Sequence, residues 1–395
     1  MMLAESVVRL GGAPVVYDPD PEAPACRAAR LQVQGAWNDD ARLAEFVAMC
    51  DVVTYEFENV DSEPLRPFVG RVPIHPSVDV LAVAQNRVRE KQFLRDHALP
   101  HVRFAVADTV ETFRAAATAF GFPFIVKTAR GGYDGKGQWR VDGPSSMEAF
   151  VQSASRDGVA FVPVVLEEVV DMVLEASCIV ARDASGVEVS FPVFENVHQD
   201  HILDTTVVPA SVSAAVATAM REIAVRSARE LDLVGLLTTE FFVGRPGVGV
   251  TSGVDVEDMR IFVNEFAPRP HNSGHVTRSA CTASQYDLLA RVLLGVPLTE
   301  PRMVAPGAFA MANLLGDVWL AQGRTEDLDL APWRDHPDVV DVVLYGKRGA
   351  AMRRKMGHAV TYGADGVTAR AKAVAFREAL CQHEPHDRRG NLSSS

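Results

Sequence analysis

Residues 264–275 read Asn-Glu-Phe-Ala-Pro-Arg-Pro-His-Asn-Ser-Gly-His and follow the apolar run Ile261-Phe262-Val263. An acid, two amides, an arginine and two histidines at the end of a buried strand are costly unless they pair with each other, a cation or an anionic ligand. Pro268, Pro270 and Gly274 fix an irregular loop, which holds these groups at one place. The pattern predicts the floor of an active site that handles a cation together with anionic groups. A second acid, Glu240, interrupts the otherwise apolar run 236–243. With Glu265 on the next strand, the two carboxylates are expected to face each other and hold Mg²⁺, which takes carboxylate oxygens and substrate phosphates.

Other residues suit phosphate. Lys127 lies in the apolar run 122–128, and Gly131, Gly132, Gly135 and Gly137 follow it. Glycines allow positive φ and close backbone approach, so a strand leading into such a loop can aim several N–H groups at a phosphate. Lys127 and Lys136 would add charge. The spacing matches neither the Walker loop nor the dinucleotide fingerprint. A glycine-rich hairpin turn accounts for the glycines equally well, and the lysine inside the strand favours phosphate. Glu167 and Glu168 end the apolar run 164–166 and suit the base and ribose of a nucleotide. Lys347, then Arg353, Arg354 and Lys355 beside glycines, suit an anion. Glu56 and Glu58 close the run 52–58, at the end of a parallel strand where α/β proteins bind ligands.

These groups need elements to position them. Leu3, Val7 and Leu10 mark a helix over residues 1–10 that stops at Gly11-Gly12. A strand over 14–18, a helix over 40–49 and a strand over 52–58 follow, an alternation that implies an α/β parallel sheet. Residues 80–97 and 109–120 read as helices. Residues 174–182 and 187–194 read as antiparallel strands, with 195–200 ending the second, and 211–231 as the longest helix. Composition is that of a globular protein of two or three domains: 395 residues, 48% hydrophobic and 23% charged. The net charge of -12 argues against nucleic acid as a partner. No apolar run is long enough to cross a membrane. The five cysteines, Cys26, Cys50, Cys178, Cys281 and Cys381, are odd in number and lack metal-ligand spacing, as expected of a reduced cytoplasmic protein.

Taken in order, the segments 54–60 (TYEFENV), 127–138 (KTARGGYDGKGQ), 166–168 (LEE), 198–200 (HQD), 239–242 (TEFF), 264–275 (NEFAPRPHNSGH), 284–291 (SQYDLLAR), 313–317 (NLLGD), 345–347 (YGK) and 353–358 (RRKMGH) resemble the N5-carboxyaminoimidazole ribonucleotide synthetases, an ATP-grasp carboxylase family of purine biosynthesis. The resemblance implies an α/β fold in three stretches: a doubly wound domain over 1–86, a two-lobed ATP-grasp domain over 87–296 and a small carboxy-terminal domain over 297–383; the polar stretch 384–395, with Gly390 and three terminal serines, reads by its composition as a disordered tail. It implies that ATP phosphorylates bicarbonate and that the amine of aminoimidazole ribonucleotide captures the carboxyl group. Lys127 and the loop Gly132, Tyr133, Asp134, Gly135, Lys136, Gly137 and Gln138 would then hold ATP phosphates. Arg87, Glu167, Glu168, Val170, Glu175, His198, Asn264 and Glu265 would form the rest of the nucleotide site. Glu240 and Glu265 would bind Mg²⁺. Arg269 would stabilise carboxyphosphate, with Tyr133, Asp134, His271 and Asn272 lining the chamber. Glu56 would orient the imidazole amine, and Lys347, Arg354 and Lys355 would grip the ribonucleotide phosphate. A homodimer is implied as well. In one respect the chain departs from the pattern. The family starts with a strand and a Gly-Gly-Gly-Gln-Leu-Gly-Arg loop, and residues 1–6 resemble the continuation of that loop. The first strand and its turn are therefore expected to be absent, leaving a truncated first domain. Two other readings stay open: a carbon–nitrogen ligase that uses formate, and a non-catalytic descendant.

Overall fold

The structure is a computed structural model that describes residues 1–132, 137–154, 161–246 and 252–383. Its ten-stranded sheet runs Val254–Val256, Met259–Ala267, Gly235–Gly244, Met172–Arg182, Phe194–Gln199, Ile202–Val208, Ala308–Leu315, Lys355–Gly363 and Val339–Leu344, with Glu188–Ser190 attached to Met172–Arg182. Neighbouring strands are antiparallel. The central strands are apolar on both faces because both faces are covered. Cys178 and Val180 turn to the helix Ala214–Glu230, packing with Met220 and Ala224. Ile179 and Ala181, one residue out of phase, turn to Leu288 and Leu289 of the helix Gln285–Leu294. The sheet continues past residue 297, since Thr205 to Val208 pair with Phe309 to Ala312.

A second, four-stranded antiparallel sheet orders Phe104–Ala107, Val164–Glu168, Phe124–Thr128 and Gln138–Val141. Phe113 and Phe150 of the helices Val110–Phe120 and Pro144–Ala154 pack on it. Thr109 caps the first of these through a reciprocal pair with Thr112.

Several elements differ from the sequence reading. The stretch 80–97 holds two helices, Val78–Ala84 and Arg87–Asp96, because the Asn86 side chain accepts the Val88 and Arg89 N–H groups and starts a new helix. The strand expected over 187–194 stops at Ser190, two residues before Pro192, which lacks the N–H a ladder needs. Residues 195–200 therefore do not end that strand; most of them lie in a separate one, Phe194–Gln199. The helix Ala214–Glu230, at 17 residues, is matched in length by Gly366–Gln382.

At the amino end, Val15–Asp18 pairs in parallel with Leu31–Gln34, and Val53–Thr54 with Ile74–His75. These pairs form separate two-stranded sheets with a cavity of about 1,090 Å³ between them. The strand expected over 52–58 is only Val53–Thr54, so Glu56 and Glu58 stand in the loop beyond it.

Candidate active site

Ile125 is in register with Glu167, so Lys127, two residues on, lies diagonally across the same face from it. The Lys127 ammonium sits 2.6 Å from Glu167 Oε2, and Lys91, from the helix Arg87–Asp96, lies 3.2 Å from Oε1. Lys91 and Glu167 are 1% and 2% exposed and Lys127 8%. Burial alone would raise the Glu167 carboxyl, but the Lys127 and Lys91 ammoniums outweigh it and bring the group down to about 2. Two cations and one anion leave a buried surplus of positive charge, which an anionic ligand can offset. Both ammoniums also reach Asn264: Lys91 donates to its carbonyl at 2.9 Å, and Lys127 to its side-chain oxygen at 3.3 Å. Arg87 donates to the carbonyls of Thr128 and Gly132 at 3.2 and 3.4 Å, fixing the entry to the glycine loop. Gly137 has φ of 72°, and a Cβ there would meet Thr128 Oγ1 at 2.4 Å, so a side chain is excluded. Gln138 starts the strand opposite Lys127. Tyr133, Asp134, Gly135 and Lys136 lie outside the described residues.

Glu240 and Glu265 are direct partners across antiparallel strands, with a register shift just after Glu240. Burial, followed by the charge of Glu240, raises the Glu265 carboxyl despite Arg87, which lies 3.7 Å away. In Glu240 burial is outweighed by His271, whose Nε2 is 2.9 Å from Oε1, with His198 and Arg269 adding to it. A buried polar chain holds His271. Its Nδ1 is 2.9 Å from Ser273 Oγ, which is 2.9 Å from Ser177 Oγ; Asn196 donates to Ser177 at 2.9 Å, and Thr206 donates to Asn196 at 3.0 Å. The Gln285 amide clamps the His271 backbone, accepting its N–H and donating to its carbonyl, each at 2.8 Å. Neither polar atom of the Asn272 amide has a partner, although both are buried. Such groups call for a ligand or water. Arg269 donates to Glu58 at 2.5 Å and to the Pro270 carbonyl at 2.9 Å.

His198 Nδ1 lies 2.5 Å from Glu175. Burial lowers its pKa, but Glu175 and Glu240 more than reverse this, while Lys355 opposes them. His198 thus stands within electrostatic reach of both the carboxylate pair and the basic segment. In that segment Lys347 donates to the Lys355 carbonyl at 2.9 Å, and Arg354 donates to the carbonyls of Arg348 and Gly349 at 2.5 and 2.8 Å. Burial, with Arg354 and Lys355 nearby, lowers the Lys347 ammonium to about 8. Behind it the His358 ring stacks on His275 with centroids 5.0 Å apart. His358 Nδ1 meets the Tyr345 hydroxyl at 3.0 Å and His275 Nδ1 meets that of Tyr286 at 2.6 Å. Burial keeps both imidazoles neutral, His358 at about 3 and His275 well below its ordinary value. Glu56 is 3.5 Å from the Met1 ammonium.

The fold thus gathers Lys127, Arg87, Glu167, Asn264 and Glu265 around one junction, and Glu240, His271 and Arg269 beside it. Two of the residues expected at the nucleotide have protein partners of their own. Glu167 is turned to Lys91 and Lys127. Glu168 accepts the Arg103 N–H at 2.7 Å, on the side next to Phe104–Ala107. Val170 is half-buried against Gly244. Sequence reasoning missed Lys91, which sits in a helix of mostly charged residues and shows no pattern that sets it apart. It also missed Ser177, Asn196 and Ser273, whose types carry no signal without the contacts. Among the described residues no group of three or more His, Cys, Asp or Glu could hold a metal ion. The opposed carboxylates of Glu240 and Glu265 still offer oxygens of the kind Mg²⁺ takes together with phosphate oxygens.

Three family models match successive parts of the chain. Residues 1–85 match the ribonucleotide synthetase preATP-grasp domain, 92–286 the ATP-grasp domain and 310–372 the phosphoribosylaminoimidazole carboxylase C-terminal domain. The N5-carboxyaminoimidazole ribonucleotide synthase of Brucella melitensis is 36% identical over 357 residues, covering 90% of this chain and 91% of the relative. The crystal structure of N5-carboxyaminoimidazole synthetase from Staphylococcus aureus complexed with ADP is 30% identical, with a TM-score of 0.81 over 95% of this chain and 93% of that one. That of the Aspergillus clavatus synthase, in complex with ADP and 5-aminoimidazole ribonucleotide, is 25% identical, with a TM-score of 0.80 over 97% and 96%. The chain belongs to the N5-carboxyaminoimidazole ribonucleotide synthase family.

Proposed function

We propose that this chain is an ATP-dependent carbon–nitrogen ligase of de novo purine biosynthesis. It carboxylates 5-aminoimidazole ribonucleotide with bicarbonate, giving N5-carboxyaminoimidazole ribonucleotide, ADP and phosphate. A bicarbonate oxygen attacks the γ-phosphorus of ATP, and ADP leaves, forming carboxyphosphate. The exocyclic amine then attacks the carboxyl carbon, phosphate departs, and the nitrogen loses a proton. Such chemistry depends on positioning and charge neutralisation more than on covalent help from the protein.

The observation that carries this reading is the junction itself: the cationic Lys91–Glu167–Lys127 trio and the Glu240–Glu265 pair converge on Asn264 and its neighbour Glu265. Lys127 and the glycine loop hold the ATP phosphates, while Glu167 and Lys91 hold Lys127. Glu240 and Glu265 hold Mg²⁺, whose charge neutralises the phosphates when it is bound. Arg269, anchored by Glu58, faces the carboxyphosphate anion, a developing charge that a fixed donor stabilises. His271 is fixed by Glu240 and Ser273, and Asn272 offers an unused amide to substrate. Lys347, Arg354 and Lys355 bind the ribonucleotide phosphate, and Glu56 the imidazole amine. The working form is a cytoplasmic homodimer that contacts neither nucleic acid nor membrane. No helix among the described residues is long and apolar enough to cross one.

The test is incorporation of labelled bicarbonate into an acid-labile product in the presence of ATP and 5-aminoimidazole ribonucleotide, with formate as the competing acceptor. Label in the carbamate supports the reading; ATP use that depends on formate, with glycinamide ribonucleotide as acceptor, overturns it.

A further inference from the structure

Among the described residues, the short strand Val254–Val256 covers the outer edge of Met259–Ala267 only at Met259 to Ile261. Beyond it, the Val263 N–H donates to the Pro100 carbonyl at 2.9 Å. On the inner side Glu240 faces Glu265 and Phe241 faces Val263, so Asn264 is one residue too many for the ladder and forms a bulge. Buried backbone groups along such an edge still need partners. Consecutive residues of the helix Arg87–Asp96 supply them. The Lys91 ammonium donates to the Asn264 carbonyl at 2.9 Å, and the Glu90 carboxyl accepts the Phe266 N–H at 2.6 Å. A side-chain donor on one C=O and a side-chain acceptor on the N–H that follows on the same edge take the place of a neighbouring strand. Glu90 and Lys91 are each 1% exposed. Keeping an acid there is costly: burial and the charge of Glu265 push the Glu90 carboxyl well up, against Lys91 and the Phe266 N–H.

We propose that Glu90 is a positioning residue of the nucleotide site, which braces the Asn264 bulge together with Lys91. This role rests on the reading of Lys127, Asn264 and Glu265 as that site. In a regular strand successive side chains point to opposite faces, so Asn264 and Glu265 could not serve one ligand. The extra residue changes this, because a bulge re-aims a side chain. The Asn264 amide oxygen accepts from Lys127 at 3.3 Å, and Glu265, opposite Glu240, also feels the charge of Lys127. Lys91 and Glu90 grip the backbone on either side of Glu265. Its carboxylate cannot swing away without breaking one of these buried bonds, which would leave a desolvated group without a partner. Glu90 acts through the backbone of Phe266 and touches no ligand itself. Lys91 also serves Glu167, so Glu90 is the residue whose loss isolates the brace.

Calorimetric binding of Mg-ADP to the full chain tests this on the parent, Glu265→Gln, Glu90→Met and Glu90→Gln. Methionine matches the length of the side chain and cannot accept the Phe266 N–H, whereas glutamine keeps the accepting oxygen. Methionine is expected to weaken Mg-ADP binding at least ~10-fold, the usual loss when the support of a metal ligand is removed, and glutamine to recover most of it. A purely structural role would lower the thermal midpoint of Glu90→Met and leave its Mg-ADP affinity at that of the parent, which overturns the proposal. Equal weakening by methionine and glutamine also overturns it, since the charge of Glu90 and not its hydrogen bond would then matter. Should Glu90→Met fail to fold, Glu90→Asp, one methylene short of Phe266, must show the same loss; parent affinity in that variant overturns the proposal as well. Glu265→Gln keeps the two readings apart. A parent that binds no Mg-ADP, or a Glu265→Gln form that binds it as the parent does, is a failure of the nucleotide site, and the brace falls with it. Weak binding by Glu265→Gln beside parent-like binding by Glu90→Met is a failure of the brace alone.

Discussion

Glu240 and Glu265 stand directly opposite one another on neighbouring antiparallel strands, yet their carboxyls are driven in opposite directions. The difference lies in what surrounds each. Burial acts on both, but His271 touches Glu240 and overcomes it, whereas Glu265 feels the charge of Glu240 with Arg87 only at 3.7 Å. A cation shared between them would relieve both burial and repulsion. Replacing either by glutamine removes a metal oxygen at nearly constant shape. The Mg²⁺ concentration for half-maximal ADP formation at fixed ATP should rise at least ~10-fold, as one carboxylate no longer neutralises the ion. An unchanged Mg²⁺ dependence would remove these residues from the metal site.

The buried trio makes an ordered prediction about stability. Glu167→Gln leaves the Lys91 and Lys127 ammoniums together without their anion. Removing one partner of a buried pair costs about 3–5 kcal/mol. Lys91→Met leaves the Lys127–Glu167 pair intact and should cost clearly less. Urea unfolding of the two variants checks the order; the reverse order would contradict the assigned contacts.

These two sites show how differently sequence exposes function. The apolar runs around Glu240, Glu265 and Lys127 gave each charged residue away, since a charge inside such a run has to be compensated. The facing of Glu240 and Glu265 was expected of successive strands; their strands do pair, although the short strand Val254–Val256 lies between them in sequence. Lys91 had no such background: its helix, Arg87–Asp96, is charged along most of its length, and only tertiary packing shows which charge is buried. The break between Ala84 and Arg87 was likewise hidden, because the Asn86 cap interrupts a pattern that periodicity alone reads as continuous. The His275–His358 stack joins residues 83 positions apart, beyond any local signal.

If Lys347 binds the ribonucleotide phosphate as proposed, it gives that binding a pH dependence. Its ammonium, lowered to about 8, is charged at neutral pH and loses its proton as pH rises through that value. A phosphate monoester is already mostly dianionic at pH 7, since its second pKa is about 6, so its own charge adds little change. The KM for 5-aminoimidazole ribonucleotide should therefore rise between pH 7 and 9. In Lys347→Arg, which stays charged throughout, the curve should flatten. A wild-type KM that is level over this range contradicts the role.

The stacked imidazoles make the fold less stable toward acid. His358 is held neutral, with its pKa near 3, while in the unfolded chain it takes a proton below about 6.5. The unfolded state therefore binds protons first as pH falls. The contribution is complete above about 6.5 and is lost progressively toward 3. His275, lowered in the same sense, adds to it. Urea midpoints at pH 7 and pH 5 should differ less in His358→Gln than in the parent; an equal difference in both would show that His358 ionises alike in both states.

Arg269→Ala should separate binding from chemistry. Arg269 is paired with Glu58 and not with the Lys127 cluster. The expected result is ADP affinity within about threefold of the parent and a kcat lower by about 10²–10³, the usual effect of losing one preorganised donor to a developing anion. Lost ADP binding in a folded variant would place Arg269 on the nucleotide instead.

The most direct test of the central claim is the rate of ADP formation by the purified chain with Mg-ATP and bicarbonate, measured with and without 5-aminoimidazole ribonucleotide. Strong stimulation by the ribonucleotide, lost in Glu265→Gln, is the predicted result. A chain that binds ADP but shows no stimulation would contradict the account.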